Sequence, residues 1–362
     1  MAFARIFIIG TVLAHFVVLP AAASEVVINA VGDIMLAGSA TKTFARLGYD
    51  YPFAATEVEL KRGDITVGNL EAPIATRGEE FTGKRYRFCA PPQSAAALKR
   101  AGFTVLTLAN NHTMDFGRPA LLETLRHLDR NGLFHAGAGP SLAAAREQAL
   151  VHVKGAKVAF LAYSLTFPKE FYATGNRAGT APGWPCYVSK DIARAKAAAD
   201  YVVVSFHWGT EGATSPSPYQ TAAARAAVDA GADVVLGHHP HVLQGIERYK
   251  DGIILYSLGN FAFGSLSHSA GRSVIARITL DNGVKGVELV PLNVRNSEVR
   301  YQPRPLSGKE GEALISRLNL LCSEMGTTIA REGQRFSVRM GSGYRVASRQ
   351  KGEGHVPAIR GD

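Results

Sequence analysis

Val26-Val27-Ile28-Asn29-Ala30-Val31-Gly32-Asp33-Ile34-Met35 opens as an apolar, β-branched run, breaks at a glycine and places an aspartate directly after the break. Residues 26–31 predict a buried strand, and Gly32 permits the sharp turn that delivers Asp33 at the strand's carboxyl end. The plan recurs at 65–67, 105–108, 158–162, 202–206, 234–236 and 253–256, each run followed by a glycine or polar cluster. Alanine-rich stretches at 93–100, 119–131, 141–150, 192–200 and 221–230 intervene and predict helices, several closed by a glycine such as Gly102, Gly132 or Gly231. Short apolar runs alternating with helical ones predict an α/β fold with strands buried between layers.

Later the pattern changes. Residues 273–280 and 284–294 alternate around Asp281-Asn282-Gly283, a hairpin signal that adds antiparallel strands to the sheet system. Residues 306–325 predict a helix, and the basic, glycine-rich stretch from Arg331 to the end predicts a flexible tail. Two long connections, 75–92 and 164–189, exceed the roughly 12–15 residues of an ordinary structureless loop and are candidate lids.

With 362 residues and 46% hydrophobic content the chain can bury a large core. Its N-terminus has Arg5, an apolar run at 6–19, and the small residues Ala21-Ala22-Ala23-Ser24, the layout of a secretory signal peptide cleaved after Ala23. The run falls short of the roughly 20 residues that span a bilayer, which disfavours an uncleaved anchor. The protein is therefore expected to be exported, periplasmic or extracellular. Cys89, Cys186 and Cys322 permit one disulfide, with Cys89–Cys186 the expected pair because both lie in proline-rich loops; no spacing suits metal ligation by thiolate. A formal charge of +10 suits an anionic partner, or a solvated basic surface. The charge is dispersed and no nucleic-acid motif accompanies it, so nucleic acid is set aside.

The chemistry gathers at the strand ends. Asp33 follows the first strand, Asn69 and Glu71 the second, and Asn110-Asn111-His112 the third; His207-Trp208 and His238-His239-Pro240-His241 end later ones. Ligand crevices of open α/β sheets lie at the carboxyl ends of strands, so these groups can converge. Carboxylates, amide oxygens and imidazoles without thiolates make a hard-to-borderline metal set. On an extended segment His239 and His241 would share a face, because the strand period is two. Asp115, three residues past His112, either orients that ring or caps the next helix. Glu211 either supports a ligand or is a loop charge, Trp208 is equally explained by packing, and Asn260 ends another strand and could shape the crevice wall. Lys84, Arg85 and Arg87 either meet an anionic polymer or solvate their loop. His127, His135, His152, His268 and His355 read as surface or satisfied core histidines.

The ordered motifs GDIML, GNLEAP, ANNHTMDFG, HWGTE, GHHPHVLQ and YSLGNF resemble those of the CapA-type poly-γ-glutamate capsule biosynthesis proteins, whose domain is similar to calcineurin-like metallophosphoesterases. The resemblance covers about 26–294, and the helix at 306–325 is also like the family's C-terminal end. It implies a four-layer α/β/β/α sandwich with mixed sheets, a domain at 24–305 after a signal peptide at 1–23, a packed helix at 306–330 and a tail at 331–362. It further implies a divalent cofactor, one or two ions of Mn, Zn or Fe, held by Asp33, Glu71, Asn111, His207, His239 and His241, with His112 protonating a leaving group. Met35 stands where a ligand histidine would be, Asn69 replaces an aspartate, and Thr113 stands where an acid is common. Two functions remain open: metal-dependent hydrolysis or transfer on an envelope phosphoester or γ-glutamyl polymer, and non-catalytic assembly of a polyanionic capsule polymer such as poly-γ-glutamate, within an envelope biosynthesis complex.

Overall fold

The structure, a computed structural model, describes residues 25–265 and 270–339. The expected signal peptide, the last 23 residues of the expected tail, His268 and His355 lie outside the described residues. Among the described residues no helix is long and apolar enough to cross a membrane.

The opening strand, Val26–Met35, lies inside a ten-stranded mixed sheet. On one side it pairs in parallel with Ile65–Leu70, beyond which lie Val105–Thr107 and Phe134–Ala136, also parallel. On the other side it pairs antiparallel with Arg272–Leu280, which forms the expected hairpin with Val284–Asn293 through Asn282 at φ 53° and Gly283 at φ 130°. A second sheet of six strands has parallel Ala156–Ser164, Tyr201–His207, Val234–His238 and Gly252–Leu255 at its centre.

Side-chain alternation makes the layers. Val26, Ile28 and Ala30 point at the second sheet and share a core with Val158, Phe160, Val203, Val234 and Leu236. Val31 and Ile34 point the other way, into a core with the helices Gln93–Ala101 and Gly117–Arg130 through Leu98, Leu121 and Leu128. Val202, Val204 and Val235 do the same for Pro185–Ala198 and Pro218–Asp229 through Ile192 and Ala227. The result is a four-layer α/β/β/α sandwich.

Two glycines shape the strand ends. The register of Val26–Met35 against its neighbour shifts between Ala30 and Asp33, a bulge that re-aims the end of the strand. A Cβ on Gly32 would sit 1.9 Å from the Gly259 carbonyl oxygen, which Asp33 N–H bonds at 3.0 Å; a Cβ on Gly237 would likewise sit 1.9 Å from the Tyr256 oxygen. Both strands thus carry glycine where another backbone crosses them, one residue before a site residue.

Arg277 ties this sheet to the short helix Glu57–Leu60 that precedes its second strand. It donates to Asn29 Oδ1 (3.1 Å), Glu288 Oε1 (2.9 Å) and Glu59 Oε2 (2.8 Å) and is buried. Arg277→Ala is expected to lower unfolding stability in urea by roughly 2–3 kcal/mol, less than a fully buried pair because both glutamates keep some exposure.

Three expectations need correction. The expected helix at 141–150 is one turn, Leu142–Ala145, followed by the strand Ala149–Val153: β-branched Val151 and Val153 and the turn at Lys154-Gly155 join it to Ala156–Ser164. The expected tail begins instead as a hairpin, Ile329–Glu332 with Arg335–Val338, which extends the large sheet through Val284–Asn293. It is anchored on the helix Gly308–Ser323 by Ile329 N–H donating to Asn319 Oδ1 (2.6 Å) and Arg331 to Glu312 (2.5 Å). The Cys89–Cys186 disulfide is absent, all three cysteines being free thiols.

Cys322 is the buried one; its Sγ accepts the Ile246 N–H at 3.2 Å and burial pushes its thiol up to about 11. Folding therefore favours the neutral thiol. That contribution is whole below the ordinary thiol value near 9 and is lost as pH rises through about 11. The stability advantage of the wild type over Cys322→Ala in urea titrations is expected to shrink by about 2 kcal/mol between pH 8 and pH 11; a constant difference would contradict this.

Candidate metal centre

Strand ends from both sheets meet at one place. Asp33, fully buried, accepts from Asn69 Nδ2 (2.9 Å) and His239 N–H (3.2 Å), with His238 Nδ1 and His241 Nδ1 at 3.1 and 3.2 Å. Glu71, also fully buried, takes Asn69 Nδ2 on Oε2 at 3.3 Å, and its Oε1 lies 3.6 Å from His207 Nε2 and 3.7 Å from His241 Nε2. Asn111 Oδ1 and His207 Nε2 are 2.8 Å apart, within hydrogen-bond distance, which brings the amide oxygen to the same place. The His207 and His239 rings are 4.8 Å apart and those of His239 and His241 5.8 Å.

Asparagines fix these groups. Asn110 Nδ2 donates to Asn69 Oδ1 (3.0 Å) and the Leu70 carbonyl (2.8 Å), while its own Oδ1 accepts the N–H groups of His112 and Thr113. Asn260 Oδ1, opposite Asp33 in the parallel pair, meets His241 Nδ1 at 2.9 Å. Holding one ring nitrogen leaves the other for an ion. His239 and His241 do share the pocket, but by another route than the expected extended segment: the strand ends at His238, and the two residues adopt φ of 93° and 59°.

Burial and neighbouring charges shift five of these groups away from their ordinary titration ranges. Burial pushes the Asp33 carboxyl up, but the His238 and His241 rings outweigh it and hold Asp33 well below the usual carboxylate range. Burial, then the charge of Asp33, push Glu71 well above it. Burial and His239 depress His207, and burial and His241 bring His239 down to about 3. Burial also opposes charge on His241, yet Glu71 and Asp33 raise it to about 9.

The residues fit a divalent ion. Glu71 Oε1 and His239 Nδ1 are buried without a hydrogen-bond partner, a costly arrangement for polar atoms unless an ion relieves it. Three overlapping triplets bring their ligand atoms within 4.8 Å of one another: Asp33, Glu71 and His241; Glu71, His207 and His239; Glu211, His239 and His241. Carboxylate, amide and imidazole donors suit Mn, Zn or Fe. Glu71 belongs to two triplets and is the candidate bridge.

Beside this set stands His112, nearly buried, with Nδ1 2.6 Å from Asp115 Oδ2. Asp115 Oδ2 also accepts Phe88 N–H (2.9 Å), and Oδ1 takes Lys84 Nζ (2.6 Å), which lies 3.1 Å from His112 Nδ1 and donates to the Asn111 carbonyl. Asp115 orients the ring rather than capping a helix. Burial depresses His112 even though Asp115 opposes the shift, and burial likewise lowers Lys84 against the pull of Asp115.

Lys84, Arg85 and Arg87 of the 75–92 connection therefore part company. Lys84 turns inward, its ammonium 5.2 Å from the Phe171 ring of the other long connection. Arg85 is exposed over Tyr86, and Arg87 is a strut between Glu80 Oε2 (3.0 Å) and the Lys84 carbonyl. Trp208 faces away from the pocket, stacked 4.7 Å from Phe206 in the helix-side core with Nε1 on the Tyr256 carbonyl (3.0 Å); packing explains it. His127 and His135 pair with Glu123 and Asp129. Sequence reasoning missed the apolar walls: the Phe88 ring lies 4.8 Å from His112 and that of Phe263 4.8 Å from His241. Phe88 sits in the 75–92 connection and Phe263 ends the strand Asn260–Phe263; each reads as ordinary packing, so no signal marked them.

Comparison with known proteins places the chain. A family described as bacterial capsule synthesis protein PGA_cap matches residues 27–265. The chain is 33% identical over 329 residues to the capsule biosynthesis protein CapA of Bacillus anthracis, covering 89% of this chain and 79% of that one. It is 36% identical over 270 residues to the PGA biosynthesis protein CapA of Bacillus subtilis (strain 168), covering 74% and 71%. Among solved structures, Haemophilus influenzae NAD nucleotidase matches at TM-score 0.47 and 14% identity over 81% of this chain and 62% of that one. A 5'-nucleotidase precursor from Thermus thermophilus matches at 0.46 and 13% over 75% and 54%. The chain thus spans under two thirds of either nucleotidase. On the family match and both relatives, the chain belongs to the bacterial capsule synthesis protein PGA_cap family.

Proposed function

We propose that this protein is an exported, metal-dependent hydrolase or transferase of capsule-polymer biosynthesis, acting on an envelope phosphoester or a γ-glutamyl bond. The observation that carries this reading is the His112–Asp115 pair, 2.6 Å apart, in the same pocket as the carboxylate and imidazole donors. Export rests on the signal-peptide layout of the N-terminus, and the polymer on the names of the two CapA relatives.

Asp33, Glu71, Asn111, His207, His239 and His241 would hold the ion or ions. A divalent ion so held supplies Lewis acidity to an ester or amide oxygen. The rest falls to side chains. Asp115 pins Nδ1–H of His112 and favours the imidazolium against burial, and in that charged form Nε2 would carry the proton a departing oxygen or nitrogen needs. Lys84 on Oδ1 and the Phe88 N–H on Oδ2 hold the Asp115 carboxylate in place against the ring. Phe88 and Phe263 limit water around His112 and His241.

The second reading, a polyanion-binding assembly protein without turnover, draws on Met35 and Thr113. Met35 is buried among Ala37, Ala72 and Phe263 and brings no donor; Thr113 Oγ1 is spent on the Leu108 carbonyl and Asn110 Oδ1 (3.0 Å). One experiment separates the two. Purified protein with Mn²⁺ or Zn²⁺ is offered an aryl phosphodiester and a γ-glutamyl oligomer. Cleavage of either, dependent on metal, supports the enzyme; salt-sensitive polymer binding without cleavage supports assembly.

A further inference from the structure

The three donor triplets are not equivalent. Asp33, Glu71 and His207 are buried, whereas Glu211 is exposed and reaches His239 and His241 from solvent. Nor is Glu211 a loose loop charge. Its loop is clamped to the histidine segment by Gly212 N–H donating to the Pro240 carbonyl (2.8 Å), between His239 and His241 in the chain, and Tyr219 Oη holds Gly209 N–H at 2.6 Å. Among the described residues Glu211 has no lysine or arginine partner to account for its position.

The inner donors run short on one side. The Asp33, Glu71 and His241 triplet supplies three protein ligands, which leaves a fourth coordination position for another donor or for solvent. The adjoining wall is apolar, with Met35 against Phe263 and the Phe263 ring 4.8 Å from His241. The charge is short as well, because Asp33 and Glu71 are the only buried carboxylates of the set. Two divalent ions would face two negative charges.

We propose that Glu211 is the solvent-side ligand of the metal centre, binding with His239 and His241 and supplying the third carboxylate ligand beside Asp33 and Glu71. This rests on the metal-centre reading above and adds a member to it. Being exposed and clamped only through its loop backbone, Glu211 can release its ligand position to an incoming anionic group, which gives the centre an exchangeable site facing solvent.

The test is Mn²⁺ titration of the full chain by calorimetry, with electron paramagnetic resonance counting bound ions, for wild type, Glu211→Gln, Glu211→Ala and Glu170→Gln. Glu170 is an exposed carboxylate outside the triplets and reports general charge attraction. Both Glu211 variants are expected to bind Mn²⁺ about tenfold or more weakly at one site, or to lose one ion, while Glu170→Gln matches wild type. Unchanged binding in the Glu211 variants, or an equal loss in Glu170→Gln, overturns the role of Glu211 and leaves the inner centre standing. A wild type that binds no Mn²⁺ overturns the metal-centre reading itself.

Discussion

Glu71→Gln is expected to bind divalent ions well over 100-fold more weakly than wild type, beyond what loss of a supporting partner alone costs. The reason is geometric. Glu71 is the one carboxylate shared by two ligand triplets, so a single substitution weakens both. Its unpartnered Oε1, between His207 Nε2 at 3.6 Å and His241 Nε2 at 3.7 Å, is the atom an ion would complete. The same substitution is expected to raise the melting temperature of the metal-free protein. Burial and Asp33 hold the Glu71 carboxyl well above its ordinary range against the pull of His241, so ionising it costs folding stability that an uncharged glutamine does not. Loss of affinity together with a gain of metal-free stability marks a residue kept for binding rather than for folding. Calorimetric metal titration and thermal melts in chelator measure the two halves. A variant that binds metal normally would remove Glu71 from the centre.

His112→Ala is expected to lower kcat by about 10²–10⁴, the usual contribution of a placed general acid, with metal content unchanged. Asp115→Asn should act in the same direction while His112 remains. Without its carboxylate the ring loses the 2.6 Å bond that sets its tautomer, and Lys84 loses its partner. KM should move little in either variant, because the interaction matters when the bond breaks rather than when substrate binds. Single-turnover cleavage of the substrate found in the assay measures this. Full activity in His112→Ala would remove His112 as the acid.

Most of the sandwich was legible because its strands obey a local rule: an apolar β-branched run, then a glycine or polar cluster, then a helix. Asp33, Glu71, Asn111 and His207 were legible for the same reason, each standing at or just past the end of a run. What escaped depends on contacts distant in sequence. The bend that gathers His239 and His241 uses positive φ that no histidine advertises, whereas strand periodicity groups the same two residues on an extended segment. Lys84 turns inward because Asp115 lies 31 residues on; its neighbours in the chain are exposed or paired elsewhere. Glu211 is placed by a backbone bond to Pro240. The hairpin Ile329–Glu332 and Arg335–Val338 reads as a basic tail until Val284–Asn293 supplies the edge that completes it.

Metal content with site occupancy tests the centre most directly. Crystals grown with Mn²⁺ or Zn²⁺ in excess, measured on either side of the metal's absorption edge, should give one or two anomalous peaks in coordination contact with Glu71 and with His207, His239 or His241. A pocket without an anomalous peak under those conditions would contradict the account.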